Sequence, residues 1–114
     1  MSGPRRRGNS PLLVLVTAPS LKVARSLARE LVQERCAACV SLVPGLRSLY
    51  RWKGAIREEP EILMLAKTER RRLSKLKELI AARHPYEVPE LLAISIDDGA
   101  PTYLAWLHSA LGGG

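Results

Sequence analysis

The sequence predicts an α+β sandwich in which two helices cross over a four-stranded sheet, and three observations carry that reading. Apolar runs rich in Val, Ile and Leu alternate with segments whose apolar residues recur at helical spacing, in the order strand, helix, strand, strand, helix, strand. The two middle extended runs flank a Lys53-Gly54 pair that suits a hairpin turn. A length of 114 residues suits one domain, able to bury roughly 65% of its unfolded surface without disulfide staples.

The elements follow in order. Residues 1–10 (MSGPRRRGNS) hold no apolar side chain beyond Met1 and are expected to form a disordered basic tail. Leu12-Leu-Val-Leu-Val-Thr17 is an unbroken apolar run, the pattern of a central strand buried on both faces. Ser20 is a good N-cap for a helix whose apolar pairs Val23/Ala24, Leu27/Ala28 and Leu31/Val32 share one face, ending near Arg35. A second extended run starts at Ala38, is interrupted at Pro44-Gly45 by a bend or bulge, and resumes from Ser48 to Trp52. The return arm runs from Ala55 to Thr68, and Pro60 marks part of it as an edge, since proline cannot donate to a ladder.

Leu73, Leu76, Leu79 and Ile80 stripe a second helix over 69–83, closed by His84-Pro85 because the residue before proline disfavours helix. Residues 89–96 read as the fourth strand, Asp97-Asp98-Gly99 as a turn, and Pro101 as the opening of an added C-terminal helix. Residues 112–114 are a glycine tail, so the domain is expected to span 11–111. This βαββαβ order is that of a ferredoxin-like sandwich. The central hairpin exceeds the minimal fold, its arms running roughly 12 to 15 residues against a usual strand of about 5–6. Arms that long leave bare edges, which predicts a closed homo-oligomer.

Composition excludes several classes. Apolar residues make up 46% and charged residues 25%, which argues against disorder. No apolar run is long enough to span a bilayer, so no membrane partner is expected. Two cysteines form no disulfide framework, which points to a reducing cytoplasm. Net charge is +7, with three arginines in the tail and an Arg70-Arg71-Arg72 run on a helix. The expected central strands, Leu12 to Thr17 and Ile62 to Ala66, carry no aromatic residue on which bases could stack, so no specific nucleic-acid partner is expected.

Several strings together resemble the CutA divalent-cation tolerance family: LVTAPS with Thr17-Ala18-Pro19, ERCAACVSLVPGLRSLYRWKG over 34–54, Glu61 ahead of Lys67-Thr68, HPYEVPE over 84–90, and YLAWL over 103–107. The resemblance spans about residues 12–110, and its specificity lies in the order and spacing of strings that are each weak alone. It implies a ferredoxin-like protomer in a homotrimer similar to the nitrogen-signalling PII proteins, long hairpins paired across subunits. It also implies a cytoplasmic role in tolerance to copper or another divalent metal, with no enzymatic reaction. Some members bind copper through a Cys before Thr-Ala-Pro and a His pair before Pro-Tyr. Those positions here carry Val16, Arg83 and His84, so His84 is the one that matches.

The metal candidates are therefore His84, whose imidazole suits copper or zinc, Glu61, whose carboxylate suits a harder cation, and Cys39. Against these stand a helix-terminal histidine, a solvated acidic run over 58–61, and a buried strand cysteine. Cys36 and Cys39 spell C-x-x-C, but they follow a helix instead of opening one, so the dipole opposes thiolate. Tyr50, Trp52, Lys67, Tyr86 and Trp106 are candidates for a ligand crevice or an interface between subunits, where Tyr and Trp are enriched. No catalytic residue and no organic cofactor are expected. A regulatory or scaffold trimer of PII type, binding a small anion or a protein partner, is the alternative function.

Overall fold

Eight segments of regular structure lie within residues 7–112, the part of the chain that the computed structural model describes. Four are strands: β1 (Pro11–Ala18), β2 (Cys39–Trp52), β3 (Ala55–Glu69) and β4 (Leu91–Ser95). Three are helices, α1 (Leu21–Gln33), α2 (Arg70–Arg83) and α3 (Pro101–Ala110), and a short 3-10 turn covers Arg7–Asn9. The strands form one antiparallel sheet in the order β2-β3-β1-β4. The expected α+β architecture is therefore present, with its central hairpin and its C-terminal helix.

Local chemistry sets the element ends. Ser20 caps α1, its Oγ accepting from the Val23 N–H at 3.2 Å. The helix stops at Gln33, short of the expected Arg35, which instead takes a left-handed φ of 57° that ends the helical path. At the hairpin tip Lys53 and Gly54 have φ of 50° and 82°, both positive, as a primed two-residue turn requires. Strand β4 starts at Leu91 instead of Pro89. Part of the expected tail is ordered: the 3-10 turn is followed by Ser10, whose carbonyl accepts from the Arg70 N–H at 3.0 Å. Residues 1–6 and 113–114 lie outside the described residues.

One face of the sheet carries the core. Leu12, Val14 and Val16 of β1 meet Met64 and Ala66 of β3, and α1 and α2 close over them with Ala24, Leu27, Leu31, Leu76 and Ile80. The opposite face was expected to be equally covered over β1, and it is not. Leu13 and Leu15 remain half-buried, as do Leu63 and Leu65 of β3, because both crossover helices pack on the other side. The unbroken apolar run thus marks a central strand with one dry face and one half-open face.

Helix α3 packs at the corner where β2 begins, burying Leu107 and Leu111 against Ala38. Its C-terminal carbonyls are held by three guanidinium groups. Arg35 donates to the Ala110 carbonyl at 3.0 Å, Arg71 to Gly112 at 3.0 Å, and Arg72 to Leu111 at 2.7 Å. Cations at this end also complement the helix dipole.

β1 pairs with β3 only from Ile62 onward, so residues 55–61 have β2 as their sole strand partner among the described residues. Pro60 lies in that half, where a missing donor is tolerated. The hairpin extends the molecule to 50 × 26 × 23 Å.

Candidate functional site

The register of the hairpin decides which side chains meet. Val43 faces Leu63 and Leu46 faces Glu61, so Pro44 and Gly45 together oppose a single residue of β3. This bulge reverses the alternation of β2 from there to the tip. Ser48, Tyr50 and Trp52 consequently share the face of Glu61, whereas a continuous strand would have put Arg47, Leu49 and Arg51 there. Gly45 serves the bulge with a φ of +87°.

The segment after α2 folds back onto this face through His84. Its Nε2 donates to the Thr17 carbonyl at 2.7 Å, and its Nδ1 accepts from the Tyr86 N–H at 3.1 Å. That pair of bonds selects the Nε2-protonated tautomer and leaves neither nitrogen free. The imidazole also lies 4.7 Å from the Tyr86 ring, centroid to centroid. Tyr86 in turn donates its hydroxyl to Glu61 Oε2 at 2.8 Å.

The result is a pocket of about 570 Å³ between the distal hairpin and this returning segment, lined by Thr17, Tyr50, Trp52, Arg57, Glu61, Tyr86, Glu87 and Glu90 among others. Its size is that of a small-molecule site. Glu61 is only 8% exposed, and among the described residues no cationic side chain approaches its carboxylate within 4.0 Å. Burial holds the Tyr86 phenol well above its ordinary range. Its bond to Glu61 and that carboxylate's charge add to the effect, with smaller contributions from Tyr50 and Glu59. Tyr86 therefore stays a hydrogen-bond donor throughout the physiological range.

The pocket gathers Tyr50, Trp52, Tyr86 and Glu61, and it stands on His84; the remaining candidates lie elsewhere. Lys67 faces Cys39 across the β2–β3 ladder, six positions along β3 from Glu61, a separation of about 20 Å in an extended strand. There Lys67 donates to Ser41 Oγ at 2.5 Å and lies 3.8 Å from Cys39 Sγ. Trp106 sits on α3, its ring 5.5 Å from that of Tyr103. Cys39, Glu61 and His84 therefore do not converge, and among the described residues no group of three or more His, Cys, Asp or Glu is placed to hold a metal ion. Glu87, Glu90, Thr17 and Arg57 went unnamed as site residues. The HPYEVPE string held Glu87 and Glu90, but which way they face depends on His84 anchoring the loop across sixty-seven positions to Thr17.

Both cysteines are free. Cys36 is buried, and burial pushes its thiol up, with Glu34 and Glu30 adding to the effect while Lys75 and Arg72 oppose it. Cys36→Ser is accordingly expected to leave the number of thiols that react with Ellman's reagent in native protein at pH 8 unchanged. Loss of one native-state equivalent in that variant would contradict the placement.

Comparison with known proteins agrees with this architecture. The family profile described as "CutA1 divalent ion tolerance protein" matches residues 12–110. The chain belongs to that family. Among its relatives, the divalent-cation tolerance protein CutA of Thermus thermophilus is 51% identical over 100 residues, covering 88% of this chain and 97% of that protein. Mouse protein CutA is 46% identical over 93 residues; the match covers 82% of this chain but 52% of the mouse protein. The crystal structure of CutA from Xylella fastidiosa superposes with a TM-score of 0.87 at 39% identity, covering 90% of this chain and 98% of that one. The CutA1 strings identified in the sequence thus sit on the fold of CutA1 structures, and divalent-cation tolerance is the role attached to the family.

Proposed function

We propose that the chain acts in divalent-cation tolerance as a cytoplasmic homotrimer, binding a divalent cation at the pocket carboxylates and catalysing no reaction. The observation that carries this reading is Glu61. Glu61 is nearly buried, one of its oxygens accepts from Tyr86, and among the described residues no cationic side chain lies within 4.0 Å of it, which leaves its other oxygen to the pocket. That second oxygen is a donor for a cation in a pocket that Glu87 and Glu90 also line, although among the described residues these carboxylates do not form a ligand cluster within one protomer. Such donors suit magnesium, manganese or calcium better than copper, which favours the imidazole and thiolate that His84 and Cys39 do not bring here. Further ligands come from a neighbouring protomer.

The trimer reading rests on surfaces that one copy leaves uncovered. They are the unpaired edge over residues 55–61, the half-open face with Leu13, Leu15, Leu63 and Leu65, and exposed Leu92 and Ile94 on β4. A ferredoxin-like protomer closing its sheets about a threefold axis, as in a PII-like assembly, covers all three. The cytoplasmic assignment is supported by two free thiols, and no helix among the described residues is long and apolar enough to cross a membrane. The alternative, a regulatory trimer with a small anionic ligand, is less favoured because the wall carries Glu61, Glu87 and Glu90 against Arg57 alone. No organic cofactor and no specific nucleic acid enter the reading.

Titration with Mn²⁺, followed by water-proton relaxation, tests it. Glu61→Gln should weaken binding about tenfold or more, the loss of one charged ligand, while the particle mass stays that of the wild type. Equal Mn²⁺ affinity in the two proteins would remove the site.

A further inference from the structure

The pocket lining is of two kinds, and the carboxylates account for only one. On the same face of the hairpin as Glu61 stand Tyr50 and Trp52, which the bulge at Pro44-Gly45 turns to that side, and the ring of Tyr86 joins them from the returning segment. A bare divalent ion has no use for an indole. It keeps oxygen ligands and part of its water shell, whereas a ring face attracts a weakly hydrated organic cation. The volume of about 570 Å³ is likewise far larger than any single ion needs.

We infer that the pocket binds a small organic ammonium, with its charged nitrogen at Glu61 and its alkyl carbons against Tyr50 and Trp52. Four observations converge on that class. Glu61 is a nearly buried carboxylate with one oxygen taken by Tyr86 and no cationic partner among the described residues. An ammonium N–H satisfies the other oxygen and neutralises the charge in one step. Glu87 and Glu90 make the wall acidic on a chain whose net charge is +7, so the pocket attracts cations and repels anions locally. Trp52 already accepts an ammonium: Nζ of Lys53 stands 5.9 Å from its ring centroid. The Thr17–His84–Tyr86–Glu61 chain of hydrogen bonds also fixes the acceptor before any ligand arrives, which lowers the ordering cost of binding.

The inference rests on the reading of this pocket as a cation site and names a second class of cation for it. An organic ammonium and a divalent ion would then compete for Glu61, which ties metal binding to amine concentration.

The experiment uses the assembled full chain and n-butylammonium chloride, with 1-pentanol as an uncharged alcohol one carbon longer and Mn²⁺ as the metal arm. The two indole N–H resonances are assigned by the spectrum of Trp52→Leu. Butylammonium should shift the Trp52 signal and leave that of Trp106, which lies on α3, in place. Its dissociation constant should be at least tenfold lower than that of pentanol. Trp52→Leu should weaken butylammonium about fivefold or more, measured by calorimetry, with Mn²⁺ affinity unchanged; Glu61→Gln should weaken both. Equal binding of pentanol, an unmoved Trp52 resonance, or full butylammonium affinity in Trp52→Leu would each overturn the inference. Failure of Mn²⁺ alone to bind removes the divalent-ion reading and leaves the ammonium site standing, so the two failures are separable.

Discussion

A chain carrying both Ile56→Asp and Leu92→Asp is expected to run as a monomer while keeping its secondary structure. In one protomer these side chains are 69% and 56% exposed, so the fold itself has little stake in them. Exposed positions of this kind usually tolerate substitution within about 0.5 kcal/mol. Their positions suit assembly instead. Ile56 belongs to the part of β3 that only β2 accompanies, and Leu92 lies on the half-open face of β4 beside Leu15. A carboxylate forced into a subunit contact there costs several kcal/mol of desolvation, on the order of what a small interface can lose before it dissociates. Light scattering behind a sizing column reads the mass, and far-ultraviolet circular dichroism reads the fold. A doubly substituted chain that keeps the mass of the proposed trimer, or a wild type that is itself monomeric, would defeat the assembly.

Arg71→Met is expected to give the largest loss of stability from one side chain. Glu69 is 3% exposed and accepts from Arg71 Nε at 2.8 Å and from His108 Nδ1 at 3.1 Å. Removing the guanidinium breaks a buried ion pair and leaves Glu69 with the His108 imidazole alone, and breaking such a pair typically costs about 3–5 kcal/mol. Arg71 also donates to the carbonyls of His108 and Gly112, so the same substitution loosens α3. Chemical denaturation should show the full loss. Adding Glu69→Gln should recover part of it, since the stranded charge is then gone. A loss below about 1 kcal/mol, the range of an exposed pair, would show that the ion pair is not buried in solution.

The sequence made the frame of this molecule readable because the informative signals are local. The Ser20 cap, the prolines at 85 and 101, and the Lys53-Gly54 turn each act within a few residues, and each element forms where those signals put it. Helix periodicity likewise identified Leu27, Leu31, Leu76 and Ile80 as core. What escaped was set by distant parts of the chain. An apolar run such as that of β1 has no period to report, so it could not say that one of its faces stays half-open. His84 is a ligand candidate on the partial family match more than on imidazole chemistry, but its partner is a backbone carbonyl of Thr17, which no side-chain pattern announces. Cys39 and Lys67 drew notice as members of matching strings, and the ladder register places them together at the far end of β3 from the pocket. Tyr50, Trp52 and Tyr86 are crevice candidates because Tyr and Trp are enriched at such sites, and the pocket does unite them.

The irregularity at Pro44-Gly45 has a consequence for how this chain can diverge. Because two residues there stand opposite one, this arm carries one residue more than its partner between Val43 and Trp52. Loss of Pro44 or Gly45 would leave a single residue opposite Ile62 and keep Leu46 opposite Glu61, so the strand would flatten while Tyr50 and Trp52 kept their side. The supernumerary residue is thus a spacer that a descendant of this chain can shed without changing which side chains line the cavity.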